Sequence, residues 1–335
     1  MHFDATVDIA ADLARIEAAA VAAEKDGYDG FGIAEARHDV FTALTLAAKA
    51  TSRITLQSTI AVAFARNPMS LAVSANDVQL VSHGRVRLGL GSQVQQHIER
   101  RYAMPWSHPA PRMEEFIAAV RAIWSCWATG ERLAFRGRFY QHTLMTEFFN
   151  PGPNPYGNPP IWLAAVGDRM AAVAGRVADG VLCHPFTTAT YLRERTLPAV
   201  ASARDTLDGF DRVLSAMVVL GADEDERSLA EHAVRRQIAF YGSTPAYRPV
   251  LELHGWESLH ERLNTLSRRQ AWDEMAGAID DDVLDAFAVA GTPQAIAATL
   301  RSRFGDTVTR LSLYLPYAVD PSLAAQVAAA FRSDR

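Results

Sequence analysis

Three ionisable side chains crowd the exit of a short apolar run: Glu35, His38 and Asp39 follow Phe31–Ala34. A histidine beside carboxylates suits acid–base work near neutral pH, or donation of a hydrogen bond. A bland alternative stands beside it, in which Glu35 pairs with Arg37 at the surface and Asp39 caps a helix beginning near Thr42. A second group follows Arg85–Leu90, where Gly89-Leu90-Gly91-Ser92-Gln93 leads to His97, Arg101, Tyr102 and Trp106. Small residues let a planar ligand approach the backbone, and His97 is a second candidate for proton transfer. No Gly-Lys-Ser/Thr follows, and the glycines do not space as Gly-x-Gly-x-x-Gly, so neither phosphate loop motif is present. A third group, Ala164-Ala165-Val166-Gly167-Asp168, opens a helix. Free N–H groups and the helix dipole there favour an anion, most often phosphate; the alternative is that Asp168 simply caps the helix. His184, in His184-Pro185-Phe186-Thr187-Thr188, either faces the same space or packs beneath it. The run Ser58–Phe64 outlasts an ordinary strand, which fits a bulge aimed at a ligand or a buried strand and its exit.

Other chemistries are poorly served. Two cysteines, Cys126 and Cys183, make no disulfide framework and no zinc cluster. Ten histidines include no His-x-His and no His-Glu-x-x-His, and no metal site is expected. Lys25 and Lys49 are the only lysines among 33 basic residues, and both sit in Ala-rich helical stretches, so imine chemistry is not expected. A net charge of −5 without a basic block argues against nucleic acid. No apolar run has the length of a membrane span, and Met1-His2-Phe3-Asp4-Ala5 lacks the start of a signal peptide. The expectation is a cytoplasmic protein that binds small molecules.

These groups all lie at the ends of short apolar segments, which the alternation along the chain explains. Strands are expected at Phe3–Val7, Phe31–Ala34, Ile54–Ala61, Arg85–Leu90, Pro160–Ala165, Asp179–Cys183, Arg212–Leu220 and Thr309–Leu315. Helices alternate with them at Asp12–Asp26, Thr42–Thr51, Pro68–Ser82, Arg112–Thr129, Asp168–Val177, Thr188–Leu207 and Pro321–Arg332, with Trp124 and Trp127 in the core. A parallel α/β fold follows, either a doubly wound sheet or a (β/α)8 TIM barrel, and eight strands favour the barrel. Active sites in such barrels lie at the C-terminal strand ends. Two insertions break the rhythm. One, about 131–158, holds a hairpin turning at Arg136-Gly137; the other, about 222–292 before the last strand, is helical with an aromatic patch at Phe240–Pro245. One domain, 1–335, is expected.

Taken in order, the motifs resemble the luciferase-like monooxygenase superfamily, and within it the branch that uses deazaflavin F420. The resemblance rests on Gly27-Tyr28-Asp29-Gly30, on Glu35 with His38-Asp39, on Arg66-Asn67-Pro68 and on the stretch Gly84–Ser92. It continues through Arg112-Met113-Glu114-Glu115-Phe116, Phe135-Arg136-Gly137-Arg138-Phe139-Tyr140 and Pro159–Ala164. Ala178-Asp179-Gly180 and Ala290-Gly291-Thr292-Pro293 complete it. The segments Gly91–Trp106 and Ala239–Tyr247 are similar to one subfamily of F420-dependent oxidoreductases whose substrate is unassigned.

The resemblance implies a bacterial-luciferase-type barrel with the cofactor ring across its mouth. It places a non-proline cis peptide at Thr59–Ile60 and cofactor contacts at Ser92, Gln93, Val166 and Gly167, with Gly91, Ala165, Asp168 and His184 alongside. Two departures stand out. Ala36 replaces the family's histidine after the acidic residue, leaving His38 as its substitute, and Val94 replaces a glutamate beyond strand four. The expected activity is hydride transfer between F420 and a small, neutral organic substrate, with Glu35, His38 and His97 as catalytic candidates. The substrate would lie under Trp106, His142 and Tyr241. Arg66 and Arg169 are candidate contacts for the anionic tail. The alternatives are a reduced-FMN monooxygenase fed by a separate reductase, and a flavin- or deazaflavin-binding relative without catalysis. A homodimer is expected from the resemblance.

Overall fold

A computed structural model describes residues 1–7 and 11–333. Its main sheet closes on itself. The barrel strands are β1 (His2–Thr6), β2 (Gly30–Ile33), β3 (Thr55–Ser58), β4 (Val86–Gly91), β5 (Ile161–Ala165), β6 (Gly180–Cys183), β7 (Asp211–Val219) and β8 (Arg310–Tyr314). Each pairs in parallel with the next, and β8 returns to β1. The expected (β/α)8 TIM barrel is therefore the fold, and closure leaves no open edge.

Strands covered on both faces read as continuous apolar runs, as in Ile161-Trp162-Leu163-Ala164-Ala165. Helix starts are set by side-chain caps. Asp39, Asn67 and Thr292 each accept a hydrogen bond from a first-turn N–H of the following helix. At the N-terminal end of the barrel, Asp4 takes two hydrogen bonds from Arg310, at 2.6 and 2.9 Å, and one from Gln57 at 2.8 Å. All three are buried. A Cβ on Gly30 would lie 2.1 Å from the Gln57 amide and 2.5 Å from Asp4, so only glycine fits beside this plug.

Several elements differ from expectation. The strand expected over Ile54–Ala61 is split into Thr55–Ser58 and Ala61–Val62. The peptide between Thr59 and Ile60 is cis. A helix at Gln95–Arg100 was not foreseen; at six residues it is too short to show a period. The helical run after β6 contains a π-helical stretch, Leu192–Thr196, and ends at Ala201 rather than Leu207.

The first insertion carries the expected hairpin, with Phe135–Arg136 paired to Gln141–His142. Its turn spans Gly137–Tyr140, not Arg136-Gly137, because Glu115 organises it. The Glu115 carboxylate accepts the N–H groups of Arg138, Phe139 and Tyr140 at 2.6–2.8 Å. Arg112 donates to the Tyr140 hydroxyl at 2.8 Å and to the Pro105 carbonyl at 2.6 Å. The second insertion folds as helices Glu224–Gly242, Arg248–Glu252, Glu257–Arg268, Trp272–Ala276 and Asp281–Phe287. They enclose a second apolar cluster, with Val234, Leu251, Leu263 and Phe287 packed against Met217 and Val219 of β7. A strand within it, Ala288–Ala290, pairs with β7 and was too short to foresee. Among the described residues, no helix is long and apolar enough to cross a membrane.

Candidate active site

The candidate residues converge on the C-terminal rim of the barrel, but not in the partnerships the spacing suggests. At the β2 exit, Glu35 does not pair with Arg37. Its carboxylate accepts from both terminal nitrogens of Arg66, at 2.6 and 2.7 Å, and from the Val62 N–H at 2.7 Å. Arg66 also donates to Asp39 at 2.6 Å, while Asp39 caps its helix through the Thr42 N–H at 2.8 Å. Burial alone would raise the Asp39 carboxyl, but the Thr42 and Arg66 donors hold it below its ordinary range. Arg66 is thus committed inside the fold and is not a free contact for an anionic tail. Arg169, the other candidate, is exposed.

His38 is exposed and borders a hollow with Leu13, Ile33 and Val40 between the β1 and β2 exits. His97 lies on the exposed side of the helix Gln95–Arg100, whose buried residue is Ile98. No hydrogen bond links Glu35, His38 and His97, so the structure does not assemble them as one acid–base group. Val94, where the family's glutamate would stand, is exposed.

The β3 exit is locked to both of its neighbours, β2 and β4. Thr59 N–H donates to the Ile33 carbonyl at 2.8 Å, and Glu35 N–H to the Ile60 carbonyl at 3.0 Å. Ser58 Oγ donates to the Gly89 carbonyl at 2.8 Å. A Cβ on Gly91 would come within 2.7 Å of Ile60 Cδ1, so this glycine admits the Ile60 side chain. Gln93 has a positive φ of 60°, and its side-chain carbonyl accepts the Val94 N–H at 3.0 Å. Ser92 Oγ donates to the Gln93 carbonyl at 3.1 Å.

At the β5 exit, the helix Asp168–Val177 begins with Gly167 as its N-cap. Asp168 is the first helical residue and does not cap; its carboxylate instead pairs with Arg195 at 2.6 Å. A Cβ on Gly167 would meet nothing within 4 Å, so open space flanks the helix start. Ala165 and Val166 line a hollow shared with Cys183, His184, Phe186 and Thr187. Burial pushes the Cys183 thiol up to about 12, which leaves it inert as a nucleophile.

His184 stands at the rim, in an aromatic group. Its ring stacks on Tyr247 at 4.6 Å and meets Tyr241 edge-on at 4.7 Å. Phe186 N–H donates to Nδ1 at 3.1 Å, and Nε2 lies 3.0 Å from the Tyr247 hydroxyl. Burial pushes His184 down to about 4, so it is neutral near pH 7. Tyr241 in turn is 2.8 Å, oxygen to oxygen, from Tyr314 at the end of β8. Among the described residues, neither Trp106 nor His142 makes a ring contact or hydrogen bond with this group. Trp106 packs edge-on against Phe64 at 5.6 Å, beyond β3, and His142 belongs to the hairpin. Tyr247 and Tyr314 escaped the sequence reading. Tyr314 carried a usable signal, as a polar aromatic residue at the C-terminal end of a barrel strand.

The β5 side of the rim suits an anionic chain: open space flanks the helix start at Gly167, with Arg169 and Arg195 near it. At the β4 exit, the Ile60 side chain occupies the space beside Gly91.

Comparison with known proteins agrees with this architecture. A family model described as luciferase-like monooxygenase matches residues 1–310. An uncharacterised protein of Mycobacterium tuberculosis is 51% identical over 304 residues, covering 89% of each chain. The 5,10-methylenetetrahydromethanopterin reductase of Archaeoglobus fulgidus is 27% identical over 319 residues, covering 91% of this chain and 90% of its own. Among solved structures, the coenzyme F420-dependent tetrahydromethanopterin reductase of Methanopyrus kandleri superimposes with a TM-score of 0.79 at 20% identity. The match covers 98% of this chain and 96% of that one. With a closed barrel, a hairpin and helical insertion in the expected places and a family match over nearly its whole length, the chain belongs to the luciferase-like monooxygenase family.

Proposed function

We propose that this protein is an F420-dependent oxidoreductase acting on a small, neutral organic substrate. The observation that carries the reading is the helix start at Gly167, flanked by open space where a Cβ on this glycine would meet nothing within 4 Å. Such an amide-lined start suits the phosphate of a nucleotide-like cofactor chain. Likeness to reductases, one of them F420-dependent by name, favours the deazaflavin over FMN. Bound there, F420 would supply the two-electron hydride chemistry. Thr59, Ile60, Gly91, Ser92 and Gln93 would border its ring. Ala165, Val166, Gly167 and Asp168 would hold its chain, with Arg195 offsetting the Asp168 charge. His184 would flank the ring on the β6 side.

The protein residues divide the remaining work. Glu35, tied to Arg66, positions the β2 exit rather than exchanging a proton. His38 and His97 are exposed, and among the described residues no hydrogen bond holds either ring, so they stay the candidates for proton transfer. Trp106, His142 and Tyr241 are assigned to the substrate side. Pairing of two copies through the outer helices is part of the same reading, and light scattering of the purified chain measures it.

The test is a parallel fluorescence titration of apoprotein with F420 and FMN, each oxidised and reduced. Tight F420 binding with little FMN binding is the expected result. Preference for reduced FMN would make the chain an oxygen-using monooxygenase fed by a separate reductase. Binding of neither would remove both cofactors.

A further inference from the structure

The aromatic group at the β6–β8 side of the rim has a surplus of hydrogen-bond donors. The count follows from one backbone group. An N–H can only donate, so the bond from Phe186 N–H makes His184 Nδ1 an acceptor. A neutral His184 then carries its proton on Nε2 and donates it to the Tyr247 oxygen, 3.0 Å away. The Tyr247 hydroxyl hydrogen is left over, since no other hydrogen bond of this hydroxyl is made by the described residues. Tyr241 and Tyr314 share one bond at 2.8 Å. Two hydroxyls bring two hydrogens and use one between them. The group therefore offers two unspent O–H donors.

Among the described residues, no carboxylate, guanidinium or ammonium hydrogen-bonds to these hydroxyls. Burial pushes His184 down and both Tyr247 and Tyr314 up, so all three are neutral across the ordinary pH range. Apolar rings form the walls. Phe186 lies 5.5 Å from Tyr247 and 6.0 Å from Tyr241, and stacks on Phe287 at 4.4 Å. His184 and Phe186 also line the hollow that reaches Ala165 and Val166, so the group adjoins the proposed cofactor chain.

We propose that Tyr247 and the Tyr241–Tyr314 pair are specificity-determining donors that receive the carbonyl oxygen of a neutral, ring-bearing substrate. The proposal rests on the rim being the substrate site of the oxidoreductase described above. A carbonyl oxygen takes two hydrogen bonds and brings no hydrogen of its own, which matches a site with donors to spare. A carboxylate would find no counter-charge there, and a bare hydrocarbon would leave both donors unpaired.

The test uses apoprotein and three ring-matched probes, 1-tetralone, naphthalene and 1-naphthoate, with affinities from ligand-observed NMR titration. 1-Tetralone is expected to bind about tenfold more tightly than either of the others. Tyr247→Phe and the double substitution Tyr241→Phe with Tyr314→Phe, which keep the rings, are each expected to cost about tenfold for 1-tetralone and to leave naphthalene unchanged. Equal affinity of the three probes for the wild-type chain overturns the proposal without needing any variant. So does tightest binding of 1-naphthoate, or a 1-tetralone affinity that neither substitution moves. F420 titration of the same samples separates the two readings. F420 binding without a ketone preference defeats this proposal alone, and a ketone preference without F420 binding defeats only the cofactor assignment.

Discussion

Glu35 accepts three hydrogen bonds, two of them from one guanidinium, and its side chain is only 7% exposed. A carboxylate so engaged stabilises a loop, with three of its roughly four acceptor sites taken inside the fold. Glu35→Gln keeps the shape, loses the charge and leaves Arg66 facing an amide. A stability loss of roughly 2 kcal/mol is expected from urea unfolding. The pH profile of turnover should keep its shape, since the residue positions a loop through Arg66 and Val62. His184 makes a different prediction. Its folded value is about 4, below the ~6.5 of an unfolded histidine, so the unfolded chain binds more protons between those values. Stability is fully present above about pH 6.5 and is lost as pH falls through that window, by up to about 3 kcal/mol. Unfolding curves of His184→Gln at pH 7 and pH 4.5 should show a flatter dependence than wild type. Burial also lowers His142 and His254, so part of the slope remains.

The hairpin of the first insertion shows how an element too short to be stable alone is held. Two residue pairs make its ladder, and the work is done from outside by Glu115 on the long helix Pro109–Thr129. Its carboxylate takes three consecutive N–H groups, and a Cβ on Gly137 would lie 2.1 Å from Glu115 Oε1. Glu115→Ala should free the turn, costing roughly 2 kcal/mol. Limited trypsin digestion should then cut at Arg136 and Arg138 well before the rest of the chain. Gly137→Ala should open the same sites by steric conflict, and a digestion pattern unchanged in both variants would show that the turn stands without the cradle.

Closure of the whole barrel depends on residues from opposite ends of the chain. Asp4 on β1 and Arg310 on β8 form a buried ion pair, with Arg310 also 5.8 Å from the Trp162 ring centre. Removing one partner strands the other charge in the interior. Asp4→Ala is expected to lose roughly 3–5 kcal/mol in chemical unfolding. The double substitution Asp4→Leu with Arg310→Met should recover most of that loss, because neither charge is then buried alone. Equal destabilisation by the single and double variants would mean that packing, not charge, sets the cost.

Much of this architecture is local and therefore legible in the chain. Apolar runs separated by amphipathic stretches count out eight strands, and glycines and capping residues such as Asp39 and Thr292 mark where helices begin and end. The exits carrying Glu35, Gly91, Gly167 and His184 follow from that count, since a barrel puts its strand ends on one rim. Partner choice is a different matter. Arg66 is 31 residues from Glu35, Arg195 is 27 from Asp168, and Tyr314 is 73 from Tyr241. No spacing rule links such positions, because the distances between them are set by how the sheet closes and where the inserted helices settle on β7. Sequence thus determined the barrel, its two insertions and the rim; only the tertiary structure decided that Glu35 is bound to an arginine and that Tyr241 and Tyr247 meet His184, with Tyr314 joined to them through Tyr241.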